Sequence, residues 1–329
     1  MYEPDYAGCE AEIVQNVLLE LQFLINFLHF IELVISKEAC DSGFFRIGDM
    51  KECHPWITCS DIKDMAIGDL LGFGAVKQIY QSSWRNQAAV AYVYINNRDY
   101  LEDFKAGLDF LKGIGASRFL IQLLGFCEEA HVYITEYHSL GNALNMHKVF
   151  SERNIVGLKE RFHLCIDYVS ILDFLHNSPL GTRVMCDSNT LNKTLEQYLI
   201  TSSLSLILND VDALPQVGRE GIICGHREIR GDFVAPEQKW PYDGEKFTEG
   251  RMPPYSEKVD IWKIPAVCNH FLGKSEEARI FRYHVFPTHK KCREKRPQAR
   301  PSAREVLQLY EDLFQGYFNE SPYGTKEEL

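Results

Sequence analysis

Positive charge is scarce in this chain of 329 residues, which carries 35 Lys and Arg against 46 Asp and Glu for a formal net charge of −11. Such a surface repels phosphate backbones, so nucleic acid is not an expected partner. The basic run at residues 289–296 is the exception, and a solvated loop explains it better than a binding patch. CxxC pairs are missing from the ten cysteines, which argues against a zinc site.

The remaining composition is that of an ordinary globular protein, with 45% hydrophobic and 25% charged residues and no evident internal repeat. The length suits one two-lobed domain or two small domains. Cys40, Cys53 and Cys59 lie close together in the sequence. Disulfides formed in an oxidising compartment would explain them, and so would free buried cysteines.

An apolar segment near the N-terminus, residues 13–35, is long enough to span a bilayer as a helix. Glu20 and Glu32 lie inside it, and no Lys or Arg precedes it, although positive charge is typical of a cytoplasmic flank. Its polar residues recur near helical spacing, so a packed amphipathic helix is an equal alternative to an anchor. A cleavable signal peptide is not indicated, because the segment lacks a positively charged N-terminal region and a cleavage site of small residues.

A glycine pair opens a series of motifs that resembles a protein kinase. Gly72 and Gly74 suit a strand–turn–strand that covers nucleotide phosphates, because backbone amides must approach the phosphates closely. The next strand, residues 89–94, resembles the kinase strand V-A-I-K but has Val93 where the lysine belongs. Either the chain no longer performs transfer, or Lys77 reaches into the cleft and supplies the charge. We prefer the second interpretation.

The region that follows is expected to complete the nucleotide-binding lobe. Apolar residues at helical spacing predict a helix over residues 101–114. The glutamate that pairs with the kinase lysine would fall near Gly107 and is absent, so Glu102 and Asp103 are candidates for its role. Residues 134–141, which include Glu136, resemble the hinge where backbone groups bind adenine.

The catalytic loop is indicated after a predicted helix at residues 161–176. Asp187 stands where the kinase motif H-R-D has the aspartate that accepts the substrate's hydroxyl proton. The metal-binding asparagine corresponds to Asn192 in one register and to Gln197 in another, and we prefer Gln197 because the spacing to the next motif then fits. Asp210 stands at the metal-binding aspartate of D-F-G, and Asp212 replaces its glycine.

Three later motifs are structural rather than chemical. Residues 233–237 match the A-P-E motif, and Arg300 is expected to pair with Glu237. Residues 258–262 match a helix that opens D-x-W, and its aspartate, Asp260, is expected to steady the backbone of the catalytic loop. The series predicts an α+β, bilobal protein-kinase-like fold with a small β-rich N-lobe and a larger helical C-lobe, preceded by an apolar N-terminal helix. The expected boundaries are 1–36 for the N-terminal segment, 37–62 for a cysteine-containing lead-in, 63–138 and 139–318 for the lobes, and 319–329 for a polar tail.

The stretches Met185–Asn189 (MCDSN) and Asn209–Pro215 (NDVDALP) are distinctive, and the chain resembles the protein O-mannose kinase family from about Cys40 to Phe314. This resemblance implies a single-pass type II protein of the endoplasmic reticulum membrane with a luminal catalytic domain, and pairing among its three N-terminal cysteines. It implies transfer from ATP, with Mg²⁺ or Mn²⁺, to the 6-hydroxyl of mannose in a GalNAc–GlcNAc–mannose trisaccharide on α-dystroglycan. Thr190 and Phe73 replace acidic residues that the resemblance leads us to expect.

The expected roles follow from these matches. Asp187 and Lys77 are the predicted catalytic residues. The predicted ATP site consists of Gly72, Gly74, Lys77 and Glu136. The predicted metal site consists of Asp210 and Gln197. Residues 224–232 are a candidate segment for sugar binding. The rival hypotheses are a pseudokinase that only binds a nucleotide or glycan, and a cytosolic protein kinase.

Overall fold

The computed structural model describes residues 40–85, 88–154 and 157–319. From Asp41 onward the chain forms one compact unit. The apolar helix predicted at residues 13–35 lies outside the described residues, as does nearly all of the predicted tail at 319–329. Within the described ranges, no helix combines the length and the apolar character that crossing a bilayer requires.

The N-terminal part is built around a sheet. Its elements are β1 (Phe44–Phe45), β2 (His54–Pro55), α1 (Cys59–Lys63), β3 (Leu70–Phe73), β4 (Lys77–Trp84), β5 (Ala88–Ile95), α2 (Leu101–Ile114), β6 (Leu123–Cys127) and β7 (Val132–Glu136). Five strands form an antiparallel sheet in the order β3-β4-β5-β7-β6. The structure confirms the predicted strand at 89–94, within β5, and the predicted helix at 101–114. Helix α2 packs on the sheet, with the Phe104 ring 5.1 Å from the Tyr133 ring.

The lead-in before the sheet packs directly on the β6 edge. The Ile57 amide donates to the Leu124 carbonyl at 2.8 Å, and the Phe126 amide donates to the Ile57 carbonyl at 3.2 Å. A Cβ atom on Gly125 would collide with the Ile57 backbone, so only glycine allows this close approach.

The C-terminal part is mainly helical. Its elements are α3 (Met146–Glu152), α4 (Leu158–His176), α5 (Leu191–Glu196), β8 (Tyr198–Ile200), β9 (Leu206–Leu208), α6 (Lys258–Leu272), α7 (Glu276–Cys292) and α8 (Ala303–Phe314). Most residues of α4 are buried, because apolar side chains surround this helix on nearly every side. Helix α4 contains the helix predicted at 161–176 and leads into the loop that holds Asp187.

Disulfides join parts of the chain that are distant in sequence. Among the described residues, disulfides join Cys59 to Cys127, Cys165 to Cys268 and Cys186 to Cys224. Cys40 and Cys53 are also disulfide-bonded, and Cys292 is a free, buried thiol. The expected pairing among the three N-terminal cysteines therefore does not include Cys59. Its partner lies at the end of β6, and the close packing of the lead-in on that strand brings the two together.

The predicted pair between Arg300 and Glu237 is confirmed. Nη1 and Nη2 of Arg300 donate to the two carboxylate oxygens of Glu237 at 2.5 and 2.8 Å. The guanidinium also lies 5.0 Å from the ring centroid of Trp262. Because Arg300 is buried, this bidentate pair fixes the A-P-E segment against the start of α8.

His289 is expected to make the fold sensitive to acid. It lies in α7 with Nε2 2.6 Å from the hydroxyl of Tyr310 in α8. Burial, together with the charges of Arg293 and Arg282, lowers the pKa of His289 to about 4. Between pH 6.5 and 4 the unfolded chain binds a proton that the folded chain does not, so stability falls as the pH is lowered, by up to about 1.4 kcal/mol per pH unit.

The variant His289→Gln tests this prediction because glutamine keeps a hydrogen-bonding group and does not titrate. Urea unfolding should show the parent losing about 2 kcal/mol more than the variant between pH 7 and pH 5. An equal loss in both proteins would show that His289 does not cause the acid sensitivity.

Candidate active site

A cleft of about 810 Å³ lies between the β3–β4 turn and the segments that contain Asp187 and Asp210. The preferred residues of the predicted catalytic, nucleotide and metal sites all line this cleft, namely Gly72, Gly74, Lys77, Glu136, Asp187, Gln197 and Asp210. The structure thus brings the predicted residues together, while their chemical roles stay predictions.

The glycine turn leaves open space over the cleft. Gly72 belongs to β3, and Gly74 begins the turn that leads to Lys77. Apart from the glycines themselves and their chain neighbours, no described residue has a heavy atom within 4 Å of the position that a Cβ atom would take on either glycine. The turn is fixed by the Gly74 amide, which donates to the Lys77 carbonyl at 2.8 Å, and by Asn96 Nδ2, which donates to the Gly74 carbonyl at 2.6 Å. A ligand can therefore reach the backbone of this turn.

Lys77 is a buried cation between two acids. It is 7% exposed, its Nζ lies 2.9 Å from Asp210 Oδ1, and it also donates to Asp212 Oδ1. Burial alone would lower the pKa of Lys77, but the two carboxylates outweigh burial and raise it well above its usual range. Val93, at the usual lysine position, is instead a buried residue of the apolar core. Strand β4, the neighbour of the strand that contains Val93, thus places the charged Lys77 in the cleft.

Asp212, rather than an acid on helix α2, pairs with Lys77. A Cβ atom on Gly107 would lie 3.2 Å from the Asp212 Cα, so α2 and this loop touch through their backbones. The candidates Glu102 and Asp103 were wrong. Both are exposed on the first turn of α2, where Glu102 pairs with Lys105 at 3.6 Å.

The pKa values of the two acids around Lys77 shift in opposite directions. Burial would raise the pKa of Asp210, but the charge of Lys77 and hydrogen bonds lower it to about 2. For Asp212, burial and the neighbouring Asp210 charge raise the pKa to about 7, against the opposing effect of Lys77. Asp210 is therefore the firmly ionised member of the pair.

Asp260 at the start of α6 supports the catalytic loop. Its carboxylate accepts a hydrogen bond from the Met185 amide at 3.1 Å and lies 3.2 Å from Lys263 Nζ. Lys263 also donates to the Met185 carbonyl at 3.3 Å and to the Ser188 hydroxyl. These buried bonds fix the backbone on both sides of Asp187.

Gln197, rather than Asn192, faces the cleft. Its Nε2 donates to the Asp187 carbonyl, and its Oε1 is buried with no hydrogen-bond partner among the described residues. Asn192 lies exposed on α5 and does not line the cleft. The orphaned amide oxygen of Gln197 and the Asp210 carboxylate line the same cleft, and oxygen donors of this kind suit Mg²⁺. The residues present therefore fit a divalent ion.

Two further features were not predicted. Lys193 lies in the cleft with Nζ 2.9 Å from Asp187 Oδ2. Lys193 could not be recognised from the sequence because it follows Asp187 by six residues, and only the turn into α5 brings its side chain back to the Asp187 carboxylate.

The carboxylate of Glu136 accepts a hydrogen bond from the Gln122 amide at 2.9 Å, so this side chain fixes the end of β7 rather than pointing freely at a ligand.

The chain is similar to several curated proteins along most of its length. Protein O-mannose kinase of Macaca fascicularis is 41% identical over 308 residues, which cover 91% of this chain and 87% of that protein. Protein O-mannose kinase of Xenopus laevis is 43% identical over 298 residues, 88% of this chain and 84% of that protein. Receptor-like protein kinase THESEUS 1 of Arabidopsis thaliana is 25% identical over 134 residues, 40% of this chain and 16% of that protein. No protein-family model matches the chain.

Proposed function

The chain belongs to the protein O-mannose kinase family, and we propose that it transfers the γ-phosphoryl group of ATP to the 6-hydroxyl of an O-linked mannose. The observation that carries this proposal is the convergence of Lys77, Asp187 and Asp210 on one cleft. Phosphoryl transfer needs positioning and charge neutralisation more than covalent chemistry, and these three side chains can supply both.

The fold is that of a bilobal protein kinase, with residues 63–138 as the N-lobe and 139–318 as the C-lobe. The sheet on one side of the cleft and the helices on the other support this assignment. So do the bonds from Asp260 to the catalytic loop and the pair between Arg300 and Glu237. The partial similarity to a receptor-like kinase is consistent with the same fold.

ATP lies beneath the glycine turn, with its adenine at the backbone of residues 134–141 and its phosphates near Gly72, Gly74 and Lys77. Asp210 and Gln197 would hold Mg²⁺ or Mn²⁺. The ion would supply positive charge that offsets the charge of the phosphates. Glu136 contributes through its main chain, because its carboxylate already binds the Gln122 amide.

Asp187 acts as the proton acceptor. The mannose oxygen forms a bond to the γ-phosphorus, the bond from that phosphorus to the ADP oxygen breaks, and the hydroxyl proton passes to the Asp187 carboxylate. Lys77 remains protonated and stabilises the phosphate charge. The hydrogen bonds between Asp260 and the backbone of the loop keep the Asp187 carboxylate in place while the proton moves.

The acceptor is the GalNAc–GlcNAc–mannose trisaccharide on α-dystroglycan, and the protein acts in the lumen of the endoplasmic reticulum behind an N-terminal anchor. Disulfides support an oxidising compartment, since Cys292 is the only free thiol among the described cysteines. The segment 224–232 borders the acceptor side of the cleft, where Arg227 lines it. The disulfide between Cys186 and Cys224 ties this segment to the catalytic loop.

A pseudokinase is the alternative function, and the presence of Val93 at the usual lysine position favours it. Transfer of labelled phosphate separates the two. The purified protein should label the trisaccharide in the presence of [γ-³²P]ATP and Mg²⁺, and should not label the same trisaccharide built on 6-deoxymannose. The control variant Asp210→Asn should lose labelling through loss of the metal ion. Equal labelling of both acceptors would refute the 6-hydroxyl assignment, and nucleotide binding without labelling would favour the pseudokinase.

A further inference from the structure

Helix α7 has large apolar side chains on its outer face as well as on its inner face. Phe281 and Val285 are buried on the inner face. Ile280, Tyr283 and Phe286 are 47%, 71% and 60% exposed, and their spacing of three residues aligns them along the opposite side of the helix. A helix that packs only against its own fold is expected to be polar on the outside. This apolar row therefore calls for a partner.

The basic run at residues 289–296 begins in the last turn of the same helix. Lys290 and Lys291 lie in α7 and are exposed, and Lys295 and Arg296 follow the helix and are also exposed. The run is therefore partly helical, and not wholly the solvated loop that the sequence favoured. The helix thus presents its apolar row beside a cluster of accessible cations.

The acids of α7 lie at the opposite end of the helix. Glu276 pairs with Arg279, whose Nε lies 2.8 Å from its carboxylate, and Glu277 is exposed. At a rise of 1.5 Å per residue, about 20 Å of helix separates Glu277 from Lys290. Physiological salt screens charges beyond about 8 Å. The basic end can therefore face a negative surface although the whole chain carries a net charge of −11.

Stabilisation of the helix end is the simpler explanation for the two lysines. Lys290 and Lys291 lie in the last turn, where cations interact favourably with the helix dipole. This explanation does not account for Tyr283 and Phe286, which gain nothing from water. A bilayer surface accounts for both sets of residues. Aromatic rings settle at the headgroup level, and long lysine side chains keep their ammonium groups beside the lipid phosphates.

We propose that the outer face of α7 is a peripheral membrane-binding surface, where Tyr283 and Phe286 enter the headgroup region and Lys290 and Lys291 bind anionic lipid headgroups. A bilayer fits this surface better than an acidic protein does, because the rings project from the convex side of one helix and lipids can close around each ring. The inference goes beyond the proposed function and does not rest on it.

Hydroxyl-radical footprinting of the full chain on lipid vesicles tests this inference, because the method reports on each ring separately, however residues 13–35 bind lipid. On phosphatidylcholine vesicles with about 30% phosphatidylserine, labelling of Tyr283 and Phe286 should fall at least about five-fold, since the rings would lie about 5–10 Å inside the headgroup boundary. Tyr94, which is 41% exposed in β5, should keep the labelling that it has in the free protein.

The double variant Lys290→Gln/Lys291→Gln isolates the contribution of charge. It should lower the ratio of protected to labelled rings by about 30-fold at about 0.1 M salt and leave Tm unchanged. The matched control is Lys105→Gln/Lys148→Gln, because these lysines lie on α2 and α3 with side chains 53% and 74% exposed, and neither lines the cleft. It should show the protection of the parent.

Unchanged labelling of Tyr283 and Phe286 on the anionic vesicles would overturn the inference. Equal protection on vesicles of phosphatidylcholine alone would overturn the assignment of anionic headgroups to Lys290 and Lys291. Protection by soluble polyglutamate, with none on vesicles, would assign the face to an acidic protein and would also overturn it. Each of these outcomes leaves the proposed function intact, since transfer of phosphate to the trisaccharide is measured without lipid.

Discussion

Replacing Asp187 with asparagine is expected to lower kcat by a factor of about 10²–10⁴ while leaving ATP binding unchanged. Asparagine has the size of aspartate and offers Lys193 an oxygen, but it cannot accept the proton that leaves the mannose hydroxyl. The loop should keep its geometry, because the Asp260 carboxylate bonds to the Met185 amide and not to the Asp187 side chain.

Initial rates and nucleotide titrations on the same preparations measure this effect. Asp173→Asn is the matched control, because Asp173 is an aspartate of α4 that pairs with Arg304 at 3.3 Å and does not line the cleft. It should retain the parental kcat. If Asp187→Asn also turns over at the parental rate, Asp187 is not the proton acceptor.

Replacing Lys77 with methionine is expected to affect both stability and turnover. The change leaves the Asp210 and Asp212 carboxylates buried without their cation, which costs about 3–5 kcal/mol in the free energy of unfolding. It also removes the cation proposed to contact the phosphates, so transfer should fall at least about 100-fold. Lys77→Arg should not restore the site, because the planar guanidinium does not fit a place built for a buried ammonium.

A double variant separates the two effects of this change. Lys77→Met with Asp212→Asn removes one of the uncompensated carboxylates, so urea unfolding should show part of the lost stability restored. Turnover should stay low, because the cation is still missing. Recovery of turnover in the double variant would mean that Lys77 supports the fold and takes no part in transfer.

Contacts between residues that belong to recognisable motifs could be predicted from the sequence alone. Arg300 pairs with Glu237, and Asp260 bonds to the catalytic loop, because each of these residues belongs to a short motif whose role depends on the fold as a whole. Helix α2 has its predicted bounds for a simpler reason. Its apolar residues recur at helical spacing and bury one face on the sheet.

Residues whose partners depend on close packing could not be predicted. Asp212 pairs with Lys77 because Gly107 lets α2 approach the loop that contains Asp212, and no local sequence pattern indicates that approach. Cys59 pairs with Cys127 for a similar reason. Helical periodicity alone argues against Glu102 as the partner of Lys77, because it places Glu102 opposite the buried face marked by Phe104.

The structure of the protein with Mg²⁺ and a non-hydrolysable ATP analogue tests the central claim most directly. The terminal phosphate should lie within hydrogen-bond reach of Lys77 Nζ, about 3 Å, with the metal ion on Asp210 and the Asp187 carboxylate facing the same phosphate. A nucleotide bound elsewhere, or Lys77 rotated into solvent while the phosphates lie away from both aspartates, would contradict it.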